Sequence, residues 1–183
     1  EPESVTLNQG VDFPVKNENY FTFTNFYDDF SGTVLVYGTT REIEANHSLA
    51  LRFQKTAADR FTEILLPVKK DCEVTDDILK NNDLILLGGS YDNSLVKKVA
   101  EDAGLKLGNS LFEWDGKKYA NSNDGLMLII PNPYNKSKMV TLIISNSALQ
   151  LYQMCKNFPR IPSYALFKDD RIVERGYHCF GIK

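Results

Sequence analysis

The clearest pattern of apolar and polar positions runs from Asn82 to Gly104. A continuous apolar run, Leu84-Ile85-Leu86-Leu87, is led in by Asn82-Asp83 and stopped by Gly88-Gly89. After a polar turn, Leu95, Val96, Val99, Ala100 and Ala103 recur at helical spacing, with Lys97, Lys98, Glu101 and Asp102 on the other face. Gly104 stands where a left-handed helix cap favours glycine. The segment reads as a buried strand, a tight loop and an amphipathic helix, one unit of a parallel α/β sheet.

The first half repeats this rhythm. Thr33 to Tyr37, β-branched and aromatic, predicts the first core strand, ended by Gly38. Arg41 to Phe61 predicts a long helix with Ala50, Phe53, Ala57 and Phe61 on one stripe. Thr40 is its expected N-cap, and Glu42 and Glu44 in the first turn suit the helix dipole. Glu63 to Val68 predicts a second strand, which Pro67 restricts to a strand end or a sheet edge because it cannot donate to a ladder. Thr75 to Asn81 predicts a short helix with Thr75 as N-cap. Strands alternating with helices imply a parallel sheet with right-handed crossovers.

The second half changes character. Asp115-Gly116 within Leu111 to Ala120 is a hairpin signal, because a type I′ turn needs positive φ at both central residues. Gly125 to Ile130 and Met139 to Ser145 read as strands joined by a rigid turn at Pro131-Asn132-Pro133. Ala148 to Asn157 reads as a helix, and Tyr164 to Phe167 with Arg171 to Glu174 as a strand pair about Asp169-Asp170. Residues 1 to 32 read as an N-terminal extension with some β structure, the alternating Tyr20 to Phe26 being its expected strand. Residues 33 to 183 read as a single α/β domain. The expected architecture is a three-layer, doubly wound, mostly parallel sheet, flavodoxin-like or Rossmann-like, with an antiparallel hairpin addition.

Composition narrows the function classes. Apolar content of 43% over 183 residues suffices for a real core. A net charge of −3 without a basic stretch argues against nucleic acid or anionic membrane as partner. No apolar run reaches the length of a membrane span. Cys72, Cys155 and Cys179 are far apart and form no metal-ligand spacing, so free thiols are expected, and no metal or cofactor.

Two loops follow strands and precede helices: Gly38-Thr39-Thr40, and Gly88-Gly89-Ser90 with Asn93 beyond it. Helix N-termini offer free N–H groups and partial positive charge, which suit an anion. The second loop reads GGSYDN, neither GxGxxG nor GxxxxGK[ST], so its glycines are better explained by a tight turn in a doubly wound sheet than by nucleotide binding. No lysine or arginine lies within Gly88 to Ser94, and Arg41 is the nearest cation to the first loop, so the crevice is expected to bind a single small anion or polar group weakly. If the first strand lies between the second and third, these two loops flank the crevice. No catalytic residue is assigned. Gly89-Ser90-Tyr91-Asp92 breaks the GxSxG elbow, and His47 and His178 leave few ways to build a Ser-His-Asp triad. Asp28-Asp29, Asp76-Asp77 and Asp169-Asp170 sit where turns and helix starts favour aspartate. Trp114, beside the hairpin turn, either faces solvent with Tyr91 and Tyr119 or packs onto the sheet.

Four blocks in order, VLVYGT at Val34 to Thr39, PVKKDCEVTDDILKNNDLILLGGSYDN at Pro67 to Asn93, IPNP at Ile130 to Pro133 and IPSYALF at Ile161 to Phe167, carry a resemblance. They resemble the α/β module beside the catalytic domain in large bacterial esterase-like and prolyl-oligopeptidase-like proteins. It covers about Asp28 to Gly176, and Gly89-Ser90 stands where that family often has a glycine or proline and an acidic residue. The resemblance implies a non-catalytic accessory domain, architectural or controlling substrate access, with an adjacent hydrolase domain as partner. A small-molecule or anion-binding domain and an independent hydrolase are the alternatives. The chain starts abruptly at Glu1-Pro2-Glu3, as a mature or excised segment does. Its compartment is therefore open, and extracytoplasmic if it is cut from a secreted hydrolase.

Overall fold

The computed structural model describes residues 22, 30–59, 65–89, 91–156 and 161–178. The expected N-terminal strand (except Thr22), Asp28-Asp29, Phe61, the start of the Glu63 to Val68 segment, Ser90 and Cys179 lie outside them.

The chain is a mixed α/β domain. Its elements are β1 (Thr33–Tyr37), α1 (Ile43–Ala57), β2 (Val68–Lys70), α2 (Asp76–Asn81), β3 (Asp83–Leu87) and α3 (Ser94–Asp102), then β4 (Lys106–Gly108), β5 (Leu111–Trp114), β6 (Lys117–Tyr119), β7 (Asp124–Asn132), β8 (Asn135–Ser145), α4 (Ala148–Met154), β9 (Tyr164–Lys168) and β10 (Arg171–Gly176). The central sheet has the order β10-β9-β7-β8-β3-β1-β2. β2, β1, β3 and β8 are mutually parallel, whereas β7, β9 and β10 each run antiparallel to their neighbours. Five strands (the parallel four and β9) therefore point one way. β1 lies between β2 and β3, the placement that puts the two glycine loops side by side.

All five residues of β1 and of β3 are buried. Alternation along each strand divides them between two cores. Leu35, Tyr37, Ile85 and Leu87 meet α1 and α4 through Leu49, Ala50, Phe53, Leu151 and Met154. Val34, Val36, Leu84 and Leu86 meet α3 through Val96, Val99 and Ala100, and the small sheet through Phe112 and Trp114. Burial on both faces is why these strands read as unbroken apolar runs.

Several details depart from the sequence reading. α1 is N-capped by Glu42, in the left-handed region at φ 47 and without a side-chain capping bond, not by Thr40. The Thr40 N–H instead donates to the Asp92 carbonyl at 3.1 Å. β2 begins at Val68 rather than Glu63, because Pro67 has no N–H; the Pro67 carbonyl still accepts from Leu35 N at 2.9 Å, and β2 is the sheet edge. Pro131 and Asn132 are strand residues, not a turn. β7 and β8 form a hairpin, and the Asn132 side chain turns the chain by accepting from Tyr134 N at 2.9 Å while donating to the Leu79 carbonyl at 2.7 Å. The Asp115-Gly116 hairpin, with φ of 50 and 72, joins β5 to β6 in a separate sheet of order β4-β5-β6. Trp114 packs inward at 4% exposure.

Candidate functional site

The carboxyl ends of β1, β3 and β8 lie side by side, and the chain leaves β1 and β8 towards one face and β3 towards the other. Such a switch point is where open α/β sheets leave a crevice. Gly38, Thr39, Thr40, Gly88, Gly89 and Asn93 all gather there; Ser90 is outside the described residues.

The two loops touch backbone to backbone. A Cβ on Gly38 would stand 2.0 Å from the Asp92 carbonyl oxygen and 2.6 Å from Asn93 N, so only glycine permits this approach. Gly88 takes φ 107, and its N–H donates to the Ile143 carbonyl of β8 at 3.1 Å. Asn93 is fully buried. Its amide donates to the Leu87 carbonyl at 3.0 Å and the Val36 carbonyl at 3.4 Å, tying the ends of β3 and β1 together, and its oxygen caps α3 through Leu95 N at 3.0 Å.

An internal carboxylate already sits at the start of α3. Asp71, in the 3-10 turn after β2, is 4% exposed. It accepts from Ser94 N at 2.8 Å, from the Thr39 hydroxyl at 2.5 Å and from Cys72 N at 3.0 Å. Burial alone pushes its pKa up, but the hydrogen bonds from Thr39, Ser94 and Cys72 together outweigh burial and hold it below the usual carboxylate value. The helix N-terminus thus binds an anion supplied by the chain itself.

Beside this lock is a cavity of about 170 Å³ lined by Gly89, Tyr91 and Asp92, the start of α1, the β4–β5 turn and the segment after β8. Asp92 accepts from Gly89 N at 3.2 Å. Burial raises its pKa, the Gly89 bond opposes that, the Glu42 charge adds to the rise and Arg41 lowers it. The Arg41 guanidinium lies 5.2 Å from the centre of the Tyr91 ring. Asn46 donates to the carbonyls of Gly38 at 3.1 Å and Arg41 at 2.8 Å, fixing the entry to α1.

Sequence reasoning missed Asp71 and Asn46. Asp71 carries no local signal, since Thr39 and Ser94 are distant in the chain. Asn46 had one: it continues the Ala50, Phe53, Ala57 stripe one turn upstream, a polar residue at a core position. The other polar candidates lie elsewhere. His47 packs on the Tyr37 ring at 5.0 Å and His178 on Trp114 at 4.8 Å. Asp76 and Asp77 open α2, and Asp169 turns β9 into β10 at φ 57. Cys72 and Cys155 are free thiols, and burial pushes Cys155 up to about 12. Among the described residues no cluster of three or more His, Cys, Asp or Glu is placed to hold a metal, and no helix is long and apolar enough to cross a membrane.

Compared with protein-family models and with curated proteins, the chain matches none. The fold defines its class: a mixed α/β domain with a mostly parallel central sheet and a separate antiparallel three-stranded sheet.

Proposed function

We propose that the chain is a non-catalytic accessory α/β domain that works beside a hydrolase domain, in an architectural or substrate-access role. In this reading its parallel strands form a flavodoxin-like core, consistent with β1 lying between β2 and β3. The observation that carries the proposal is the lock at the crevice. Asp71, Thr39, Asn93 and the Gly38–Asp92 contact use the polar groups of both glycine loops to fasten strand ends to one another. A loop pair committed in this way is suited to holding shape. A second observation supports the reading. The outer faces of α1 and α4 leave Leu51 at 44% and Leu149 at 68% exposure beside a shallow apolar groove, the kind of surface that a neighbouring domain covers.

The test is turnover of activated acyl esters by the purified chain, with Ser90→Ala as the paired variant. The expected result is no turnover above buffer in either protein. Turnover that disappears in Ser90→Ala overturns the proposal, as does tight nucleotide binding in a titration read by amide NMR shifts.

A further inference from the structure

Away from the crevice, α1 turns a second face outward. Leu49, Ala50, Phe53 and Ala57 fill the core, whereas Glu44, Ala45, Ser48, Leu51, Arg52 and Lys55 are all exposed on the other side of the helix. Leu51 is 44% exposed, and Leu149 of α4 beside it is 68% exposed. With Ala45, Ala148 and the Tyr152 ring they line the groove between the two helices. Arg52 is fixed along this groove. Its guanidinium lies 4.4 Å from the centre of the Tyr152 ring and donates to the Tyr152 hydroxyl at 2.6 Å. The charges on the face are ordered along the helix. Glu44 stands in the first turn and Lys55 in the last, with Arg52 one turn before it. None of the three makes an ion pair among the described residues. No acidic side chain lines the groove itself.

We propose that this face docks on the same face of a second copy of the chain, with the two α1 helices antiparallel about a two-fold axis. A face with its acid at one end and its bases at the other complements itself when turned end for end. Glu44 and Lys55 lie at nearly equal distances from the middle of α1. With the axis near that middle, Glu44 of each copy meets Lys55 of the other, the reciprocal exchange that an isologous contact requires. The same register sets each Leu51 against the small Ser48 of the other copy, a ridge opposite a gap. The antiparallel arrangement also opposes the two helix dipoles. Leu149 and the Tyr152 ring continue the apolar contact on α4. A contact built from two short helices falls below about 1,200 Å² in total, the lower end of specific interfaces, so a dissociation constant of about 10–100 µM is expected. The accessory role rests on the lock at the crevice and stands without this contact; the neighbour over the groove is here another copy of the same domain.

The experiment is sedimentation equilibrium of the full chain from about 5 µM to about 1 mM, a range that brackets the expected constant. The expected result is monomer at the low end and dimer at the high end. Lys55→Glu and Glu44→Lys each place two like-charged pairs across the axis and are expected to weaken the dimer by about tenfold or more. The double exchange Glu44→Lys with Lys55→Glu is expected to restore it to within about threefold of the parent. Leu51→Gln is expected to weaken it by about tenfold without touching either charge. Circular dichroism at the low concentration checks that each variant keeps its fold. Monomer at every concentration, the result if the groove is kept for a different partner, overturns the proposal. A dimer that ignores the single reversals, or that the double exchange does not restore, overturns it as well.

Discussion

Asp71 offers the sharpest check on how the two glycine loops are held. Asp71→Ala removes an acceptor that serves Ser94 N at 2.8 Å, the Thr39 hydroxyl at 2.5 Å and Cys72 N at 3.0 Å. A hydrogen bond to a charged group contributes about 1.5–3 kcal/mol net, and a buried donor left unsatisfied costs about 1–3 kcal/mol. An acidic group at a helix N-terminus adds about 0.3–1 kcal/mol. These contributions overlap because they share one carboxylate, so the expected loss is about 3–5 kcal/mol rather than their sum. Asp71→Asn is milder, at about 1–2 kcal/mol, because its amide oxygen still accepts from Ser94 while its NH₂ donates to the Thr39 oxygen. Urea unfolding reads both. With a slope near 2 kcal/mol per molar, Asp71→Ala lowers the midpoint by about 2 M with the slope unchanged. The same carboxylate gives an acid signature. Its folded pKa lies below the unfolded value, so its contribution is present above the unfolded value near 3.8 and is lost as pH falls through the lower folded value. Asp71→Asn lacks that part of the acid-side decline. An Asp71→Ala midpoint within about 0.3 M of the parent refutes the idea that this carboxylate fastens the loops.

Other expectations follow from the same contacts. Gly38→Ala drives a Cβ into the Asp92 backbone, which no rotamer change relieves, so its cost reaches or exceeds the upper end of the about 1–3 kcal/mol range for overpacking. Gly104→Ala, with φ +70 but open space around it, costs only about 1 kcal/mol by the same urea assay. Leu86→Asp places a charge at a site with 0% exposure and is expected to cost more than about 4 kcal/mol; an unchanged melting temperature means the β3 assignment is wrong. His178 is held neutral by burial, with Asp115 opposing, so its folded pKa lies below 6.5. The folded state then binds fewer protons, and stability declines as pH falls below about 6.5. Trp114, the chain's single tryptophan, lies 4.8 Å from His178, so its fluorescence follows this titration, and a midpoint above 6.5 contradicts the assignment.

The sequence by itself determined the elements whose cause is local. β1, β3 and α3 follow from apolar runs and helical spacing, the Thr75 and Asp115-Gly116 features from the conformations those residues favour, and the glycine loops from the stops after each strand. It also placed Gly38, Thr39, Thr40, Gly88, Gly89 and Asn93 as neighbours, once β1 was set between β2 and β3. Where the cause is distant, the tertiary structure decided. Thr40 is not the helix cap: it lies two residues before the Glu42 cap, in a loop whose Thr40 N–H is held by the Asp92 carbonyl of another loop. Pro131 and Asn132 became strand because β8 pairs along them and Asn132 finds the Leu79 carbonyl, far away in the chain. Asp71 stands in the acidic-basic stretch Lys69-Lys70-Asp71-Cys72-Glu73, and only folding sets it against Thr39 and Ser94. Local propensity is weak beside a buried hydrogen bond or a filled core. Partners many residues apart leave no periodic trace, so the lock at the crevice and the charged rim of its cavity became visible only when the strands were assembled.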